Sequence, residues 1–338
     1  MTKRILITGA AGLFGHHFVE HIIKNTDWEI VALVRLHRIG ALRRLTDIGA
    51  WEQGQHRVAV VWHDFRSPLN GYVREDIGEV DYIVHAGAST HVDESITYPE
   101  HFVYDNVVGT LNILQYARTL PNLKWLNYFS TDEVYGPAPL GVFFKETDAY
   151  NATNPYSATK AGAEQLVNAF GNTYGLPVFT TNTMNLIGER SSTEKFLPKL
   201  IRLIQAGETV TIHSDPTRTR AGQRHYLHAR NAAAAILFLL GKAEQRGRYN
   251  VVGDKEVDNL TLAQMVADIL GKPLHYEMVD FHSSRPGHDL RYALDGSKLQ
   301  QMGFSYPKSF EETLEKCVRW TVAHPEWLVD VETNPKNS

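Results

Sequence analysis

Tyr156 and Lys160 form a Tyr-x-x-x-Lys string whose residue types suggest proton transfer at a hydroxyl group. Four residues apart on a helix, the two side chains lie on the same face. A free tyrosine has a pKa of about 10, but a neighbouring ammonium group favours the phenolate, which can accept a proton as hydride leaves the same carbon. The string therefore predicts a base for alcohol oxidation, although a surface tyrosine on an amphipathic helix would have the same spacing.

A second set of chemically capable residues is Thr131, Asp132 and Glu133, which directly follow a predicted strand at residues 124–130. Side chains at the carboxyl end of such a strand face the ligand crevice of an α/β sheet. One carboxylic acid can protonate a leaving hydroxyl while the other removes a proton, provided that their environments separate their pKa values. The alternative is that these three residues serve only as a helix cap.

Gly9, Gly12 and Gly15 form a Gly-x-x-Gly-x-x-Gly pattern between the first predicted strand and a helix. Such a loop lets the backbone approach a pyrophosphate closely, and the helix N-terminus supplies unpaired N–H groups. The pattern predicts a nicotinamide dinucleotide, NAD(P)+. The residues that we expect to contact it are Gly9, Gly12, Leu13, Phe14, Gly15, Arg35, Asp64, Phe65, Ala86, Ala88, Tyr156 and Lys160.

The end of the second predicted strand favours NADP+ over NAD+. An acidic residue normally holds the ribose 2′-hydroxyl of NAD at this place, whereas this chain has Val34 followed by Arg35. Without a carboxylate nothing repels a 2′-phosphate, and an arginine can clamp one. The alternative is that Arg35 and the arginines after it are solvated on an exposed helix.

The elements that must position these residues alternate between strand and helix. Apolar runs predict strands at residues 4–8, 29–34, 57–62, 81–85 and 124–130, with helices at 13–24 and 102–118 between them. This order predicts an α/β fold: a Rossmann-type doubly wound parallel sheet with a smaller α+β substrate-binding domain over its carboxyl edge. We expect a dinucleotide-binding domain at 1–182 plus about 226–255, the substrate-binding domain at 183–225 and about 256–328, and a tail at 329–338.

The composition of the 338 residues excludes several other classes of protein. Hydrophobic residues make up 43% and charged residues 21%, as in a globular protein, and the net charge of −4 gives no indication of nucleic-acid binding. A single cysteine, Cys317, excludes a disulfide framework. We see no membrane span, signal peptide or convincing metal-ligand spacing, and we expect a cytoplasmic protein without a metal site.

Taken together, the motifs resemble the extended short-chain dehydrogenase/reductase family, in particular the nucleoside-diphosphate-sugar 4,6-dehydratases such as dTDP-glucose 4,6-dehydratase. The resemblance extends over nearly the whole chain. Its most specific strings are Thr-Asp-Glu at 131–133 and Arg-Pro-Gly-His-Asp at 285–289, and the matching strings are 8–15, 90–93, 106–110, 130–136, 154–160, 194–198 and 285–292.

The resemblance implies a role for each matching residue. Tyr156 would be the base at the sugar C4 hydroxyl, supported by Lys160 and Thr131, with Asp132 the acid at C6 and Glu133 the base at C5. The partner would be a nucleoside-diphosphate sugar, and the protein a homodimer. The dinucleotide would stay tightly bound, because each turnover regenerates it. The residues expected to contact the sugar nucleotide are His91, Asn185, Lys195, Arg224, Asn250, Arg285 and His288.

The chain departs from the family pattern near the two nucleotide sites. Val34 replaces the acidic residue, residues 185–188 read Asn-Leu-Ile-Gly, a longer segment occupies 213–223, and His225 follows Arg224 in place of an acid. These departures leave the nucleobase, dTDP- or UDP-type, and the cofactor type open.

Two other functions stay open at this stage. A 4-epimerase or reductase of the same fold needs Tyr156 and Lys160 but has no use for both Asp132 and Glu133. A non-catalytic dinucleotide-binding regulator would need neither Tyr156 nor Lys160. We therefore expect a sugar-nucleotide 4,6-dehydratase, with the epimerase or reductase as the main alternative.

Overall fold

The computed structural model describes residues 2–35, 41–280 and 290–329. The strands of these residues are β1 Arg4–Thr8, β2 Glu29–Val34, β3 Val58–Trp62, β4 Tyr82–His85, β5 Trp125–Thr131, β6 Val178–Thr183, β7 Leu186–Ile187, β8 Val210–Ser214, β9 Gln223–His225, β10 Leu227–His228, β11 Gly247–Val251, β12 Glu256–Asp258 and β13 Tyr276–Asp280.

The helices of the same residues connect and cover these strands. They are α1 Leu13–Asn25, α2 Ala41–Thr46, α3 Trp51–Gly54, α4 Gly71–Ile77, α5 Val92–Thr97, α6 Pro99–Phe102, α7 Gly109–Ala117, α8 Pro155–Tyr174, α9 Phe196–Ala206, α10 Ala229–Lys242, α11 Asn259–Leu270, α12 Ser297–Gln301 and α13 Phe310–Ala323. A π-helical segment spans Val103–Val108, and 3₁₀ turns span Gln55–Arg57, Asp132–Tyr135 and Pro325–Trp327.

Seven strands form one sheet in the order β11-β6-β5-β4-β1-β2-β3, and all of its pairings are parallel. Residues 5–7 of β1 and 30–34 of β2 are apolar and buried, as both-sided coverage of a parallel sheet requires. The strand order reverses between β1 and β4, so the ligand crevice opens at their carboxyl ends. The predicted doubly wound parallel sheet is confirmed.

Two apolar cores lie on the two faces of this sheet. On one face α1 packs against α10, with Phe18 and Ile236 in the shared core. On the other face α7 and α8 cover β4 and β5, with Ile113 and Val167 fully or almost fully buried. The two helix layers therefore fix the positions of α1, which follows the glycine loop, and of α8, which carries Tyr156.

The helix predicted at 102–118 is wrong in one respect, because its first half is not α-helical. The segment Val103–Val108 is a π-helix, and α7 begins only at Gly109. Within the π segment, the Asn106 amide bonds both the N–H and the C=O of Ser89, at 2.9 and 3.1 Å, and donates to Thr159 Oγ1 at 3.0 Å. These partners lie far away in the sequence, so the local 3.6-residue period could not indicate the wider turn.

The later part of the chain forms smaller elements with a core of their own. Short strands pair as β13 with β8, β12 with β9 and β10 with β7, and α9, α11 and α13 pack together around Leu200, Val266 and Leu314. These elements are the predicted smaller α+β portion, whose sequence boundaries stay a prediction. Within the described ranges, the helices are too short or too polar to cross a membrane.

Candidate active site

The glycine loop connects β1 to α1 by a turn that only small residues allow. Gly9 has a φ of 67°, and Gly12 donates its N–H to the Gly9 carbonyl at 2.8 Å. A Cβ on Gly9 would lie 2.7 Å from Gly87 Cα, so the loop touches the backbone after β4. The result is an uncovered helix N-terminus beside a glycine-lined surface, which fits a dinucleotide pyrophosphate.

A cavity of about 280 Å³ opens in front of this loop. Of the predicted cofactor and substrate residues, those that line it are Gly9, Gly12, Leu13, Arg35, Phe65, Ala88, His91 and Lys195. Phe14 and Gly15 lie behind the loop: the Phe14 ring stacks on Phe129 with centroids 4.1 Å apart, and a Cβ on Gly15 would collide with the Gly9 carbonyl. Ala86 packs against the core beneath the sheet end.

Arg35 lines the cavity, but carboxylates already hold its guanidinium. It donates to both oxygens of Asp105, at 2.8 and 3.1 Å, and lies 3.6 Å from Asp64. Burial works against ionisation of Asp64, but hydrogen bonds from Arg66 and the charge of Arg35 lower the pKa of Asp64 below its ordinary value. Two arginines and two aspartates therefore form one neutral cluster at the edge of the dinucleotide cavity.

The Thr-Asp-Glu string lies at the carboxyl end of β5, where the strand turns into a short 3₁₀ helix. The Thr131 hydroxyl accepts a hydrogen bond from the N–H of Glu133 at 3.3 Å. Thr131 therefore also caps this short helix, which is the alternative role considered for it above. The same hydroxyl donates to Asp132 Oδ1 at 3.0 Å. Asn154, which caps α8, donates to Glu133 Oε2 at 3.2 Å and so links the two elements.

Asp132 is a buried carboxyl group whose environment favours the protonated form. Burial and the neighbouring Glu133 raise its pKa to about 7, although Arg224 and Thr131 act in the opposite direction. Its second oxygen, Oδ2, is buried and lacks a hydrogen-bond partner among the described residues. A neutral carboxylic acid with one oxygen unused is suited to donate a proton to a bound ligand.

Tyr156 and Lys160 are both buried on the inner face of α8. Burial, together with the charges of Glu133 and Asp132, raises the pKa of the Tyr156 phenol, which a hydrogen bond with Thr131 partly offsets. Burial also lowers the pKa of Lys160 to about 7. The Lys160 ammonium donates to the Phe129 carbonyl at 2.7 Å, which fixes its position next to the end of β5.

The predicted substrate residues fall into two groups. Arg224 on β9 acts electrostatically on Asp132 and donates to the Leu290 carbonyl at 2.8 Å, and Asn185 presents a buried Oδ1 without a hydrogen-bond partner among the described residues. Asn250, by contrast, is fully buried and donates to two backbone carbonyls, those of Phe144 and Asp295. Arg285 and His288 lie outside the described residues.

Sequence reasoning missed two contributors to this site. Asn154 is one; its place before Pro155 and Tyr156 marks it as a helix cap, but only the fold brings it to Glu133. Arg44 is the other: it lines the dinucleotide cavity and donates to Ser192 Oγ at 3.3 Å, across 148 residues of sequence. Within residues 2–35, 41–280 and 290–329, no three His, Cys, Asp or Glu side chains group in a way that could hold a metal ion.

The glycine loop and the cavity in front of it fit a dinucleotide, and the family follows from comparison with known sequences. Residues 5–252 match the NAD dependent epimerase/dehydratase family. The chain belongs to this family, and the resemblance read from its motifs is confirmed.

Two related sequences and one solved structure show which members of the family this chain is similar to. A dTDP-glucose 4,6-dehydratase of Salmonella typhimurium is 32% identical over 99% of this chain and 97% of its own length. The trifunctional UDP-glucose 4,6-dehydratase/UDP-4-keto-6-deoxy-D-glucose 3,5-epimerase/UDP-4-keto-L-rhamnose-reductase RHM2 of Arabidopsis thaliana is 34% identical over 97% of this chain, which spans about half (48%) of that relative. The solved structure of DesIV, a dTDP-glucose 4,6-dehydratase from Streptomyces venezuelae with NAD and TYD bound, is 31% identical with a TM-score of 0.84, covering 96% of this chain and 98% of its own.

Proposed function

We propose that this protein is a nucleoside-diphosphate-sugar 4,6-dehydratase, a hydro-lyase that converts an NDP-hexose to the 4-keto-6-deoxy sugar nucleotide. The observation that carries the proposal is the pair Asp132 and Glu133 beside Tyr156, with the pKa of Asp132 raised to about 7. Loss of water needs an acid that is still protonated near neutral pH and a separate base. The full-length Salmonella relative, a dTDP-glucose 4,6-dehydratase, supports the same activity.

The first task of the site is to remove the proton of the sugar C4 hydroxyl. Tyr156 accepts that proton. To do so it must first be a phenolate, which the charged form of Lys160 stabilises. A bound nicotinamide dinucleotide supplies the hydride acceptor for C4 and the hydride donor for C6. The glycine loop and the cavity in front of it would hold this group, with Gly9, Gly12 and Leu13 at the pyrophosphate.

Elimination of water then depends on the two carboxyl groups. A ketone at C4 acidifies the hydrogen at C5, and the Glu133 carboxylate removes it. Asp132 gives its proton to the C6 hydroxyl, which leaves as water. Glu133 returns a proton to C5 when C6 is reduced, so that the carbon skeleton ends as a 4-keto-6-deoxy sugar.

The main alternative is a 4-epimerase or a reductase of the same fold. Such enzymes need Tyr156 and Lys160, but they have no use for a protonated acid whose free oxygen is buried in the site. A non-catalytic dinucleotide-binding regulator has no use for any of these groups. The carboxyl pair therefore favours the dehydratase over both.

The direct test is to incubate the protein with dTDP-glucose, UDP-glucose and UDP-N-acetylglucosamine and to follow each by mass. We expect one of the two glucose nucleotides to lose one water, in accordance with the dTDP- and UDP-glucose enzymes among the relatives. Conversion of any of them to its C4 epimer without loss of water would refute the dehydratase and establish the alternative.

The choice of NADP+ over NAD+ is a finer part of the proposal. Val34 offers no carboxylate to repel a 2′-phosphate, and Arg35 and Arg44 both line the cavity. Against it stand the pairing of Arg35 with Asp105 and the relative DesIV, which was solved with NAD. The proposal predicts that titration calorimetry of both dinucleotides shows tighter binding of NADP+ to the wild type.

Replacement of Arg35 tests the physical reason for this preference. In Arg35→Asp the ratio of the two affinities should move toward NAD+ by about tenfold or more, the value of one lost charge-assisted contact. Arg66→Ala, in the same charge cluster but outside the cavity lining, is the control and should leave the ratio unchanged. A wild type that already binds NAD+ more tightly would show that the arginine argument is wrong.

We also propose that the protein is a homodimer. Ile96, Tyr98, Val103 and Tyr104 lie on adjoining segments and are 42–57% exposed, an arrangement typical of interaction surfaces. Sedimentation should show a dimer for the wild type and a monomer for Tyr104→Lys, and a monomeric wild type would contradict this. Location in the cytoplasm stays a prediction from the sequence.

A further inference from the structure

Glu164 is a buried carboxylate for which the proposed reaction has no use. It lies on α8, one turn beyond Lys160 and two turns beyond Tyr156, and only 2% of it is exposed. The spacing i, i+4 and i+8 places all three side chains along one face of the helix. Burial of an ionised carboxylate costs free energy unless hydrogen bonds or opposite charges stabilise it.

Three donors from outside α8 converge on this carboxylate. The Ser130 hydroxyl and the Asn182 amide both donate to Oε1, the latter at 2.8 Å, and the Tyr150 hydroxyl donates to Oε2 at 2.7 Å. These donors belong to β5, β6 and the loop before α8. Burial raises the pKa of Glu164 above its ordinary value, and the hydrogen bonds from Ser130 and Tyr150 act in the opposite direction and favour the ionised form.

The same contacts join α8 to the strand that carries the acid and the base. Ser130 immediately precedes Thr131, and the Asn182 amide also donates to the Thr131 carbonyl at 3.2 Å. The hydrogen bonds of Glu164 therefore fix the position of α8 relative to the end of β5. They thereby also fix the distance between the Tyr156 phenol and the Asp132 carboxyl group.

Lys160 faces several polar groups, but Glu164 is the anion among those that act on its pKa. On β4, His85 is neutral because burial lowers its pKa to about 3. On β5, the Tyr128 ring lies under the ammonium at 4.2 Å, and burial keeps its phenol protonated. The other charged or titratable groups that face Glu164 are Tyr135, Tyr150 and Arg248.

We propose that Glu164 is a positioning residue that raises the charged fraction of Lys160 and holds α8 against the end of β5, so that Lys160 can support Tyr156. The catalytic meaning of that support rests on the proposed function, whereas the electrostatic link between Glu164 and Lys160 can be tested without any substrate. Burial lowers the pKa of Lys160 to about 7 even though the Glu164 charge opposes this. Without that charge the pKa of Lys160 would fall further, and little of the side chain would be charged at neutral pH.

The test is a titration of Lys160 in the protein without dinucleotide. Lysine labelled with ¹³C at Cε gives one resonance per side chain, and the resonance that disappears in Lys160→Arg assigns Lys160. In Glu164→Gln its pKa should fall by about one unit or more, because one nearby buried charge has been removed. In Glu164→Asp, which keeps the charge, the pKa should stay within about 0.3 units of the wild type.

Two results would overturn the proposal: an unchanged Lys160 pKa in Glu164→Gln, or an equal fall in Glu164→Asp, which would indicate a purely structural role. Glu164→Met is a second neutral variant of similar length if Glu164→Gln does not fold. Tyr150→Phe removes one donor but leaves the charge, and it serves as the matched control with an unchanged Lys160 pKa.

The reaction gives an independent readout of the same link. In Glu133→Gln, which should stop after C4 oxidation, the rate of cofactor reduction falls as pH rises through the pKa of Lys160. Adding Glu164→Gln should move this fall to lower pH by the same amount as in the titration, and an unmoved fall would contradict the proposal. Failure of the wild type to release water from any sugar nucleotide would refute the proposed function alone, since the titration uses no substrate.

Discussion

Two buried carboxyl groups of this molecule, Asp132 and Glu189, have opposite surroundings. At the end of β5, Asp132 has another carboxyl group, Glu133, as its neighbour, and one of its own oxygens has no hydrogen-bond partner among the described residues. Behind the glycine loop, Glu189 is equally buried but has cationic and imidazole partners. It pairs with Arg230 at 2.6 Å and lies 3.2 Å from His228 Nε2.

The pKa values of the two groups move in opposite directions although burial acts the same way on both. For Asp132, burial and Glu133 together raise the pKa to about 7. For Glu189, burial works toward a higher pKa, but the nearby His228 imidazole and the charge of Arg230 lower the pKa well below its ordinary value. The neighbours, more than the burial, decide whether a carboxyl group stores a proton for chemistry or anchors the fold.

The largest effect is expected from a variant that removes the acidic proton of Asp132. In Asp132→Asn, water loss should fall by about 10² to 10⁴, the usual contribution of a positioned general acid. C4 oxidation, which does not use Asp132, should change by only a few-fold when measured as cofactor reduction in a single turnover. Equal loss of both steps would contradict the role given to Asp132.

The second variant removes the negative charge of Glu189. Glu189→Gln should lower the free energy of unfolding by about 3 kcal/mol, because Arg230 and two histidines lose a buried partner. The figure is at the low end for a buried pair since the Arg230 side chain is 37% exposed. Chemical denaturation measures it, and kcat should stay unchanged.

A matched control for this variant lies on the surface of α13. Glu315 pairs with Arg319 at 2.8 Å, but both side chains are more than half exposed. Glu315→Gln should change the free energy of unfolding by less than about 0.5 kcal/mol. If it destabilises the protein as much as Glu189→Gln does, burial of the Glu189 pair is not the cause.

The third and smallest effect is the dependence on pH, which should have opposite signs in the two regions. In the proposed reaction Asp132 is the acid, so water loss should fall tenfold per pH unit above about 7, as its proton is lost. Glu189 stabilises the fold when ionised, so its contribution is complete above its unfolded pKa and is lost as pH falls below about 4.5. Denaturation curves of the wild type and Glu189→Gln should therefore converge in acid, and curves that stay parallel would contradict this.

The sequence predicted the placement of the residues at the end of β5 better than the surroundings of Glu189, for a physical reason. β1 and β2 have the predicted bounds, and Thr131, Asp132, Glu133 and Tyr156 meet at the end of β5, because local apolar runs and parallel topology decide those positions. The partners of Glu189 come from α1, β10 and α10, which tertiary packing alone brings together.

The same limit applies to single contacts within the site. Asn154 could be recognised as a helix cap, but its contact with Glu133 depends on how α8 docks on β5. Arg35 was predicted at the cofactor, and its pairing with Asp105 was not visible because 70 residues separate them. The π segment at Val103–Val108 is a further case in which distant partners override the local period.

The central claim is that Glu133 removes the C5 proton of a C4-oxidised sugar nucleotide, and one variant tests it most directly. Glu133→Gln keeps the volume and the contact with Asn154 but cannot accept a proton. On addition of substrate in deuterated water, near-ultraviolet absorbance of the reduced nicotinamide should accumulate, while deuterium uptake at C5 and water loss both fall by about 10² to 10⁴. Deuterium uptake at C5 at the wild-type rate would show that Glu133 is not the base and would contradict the account.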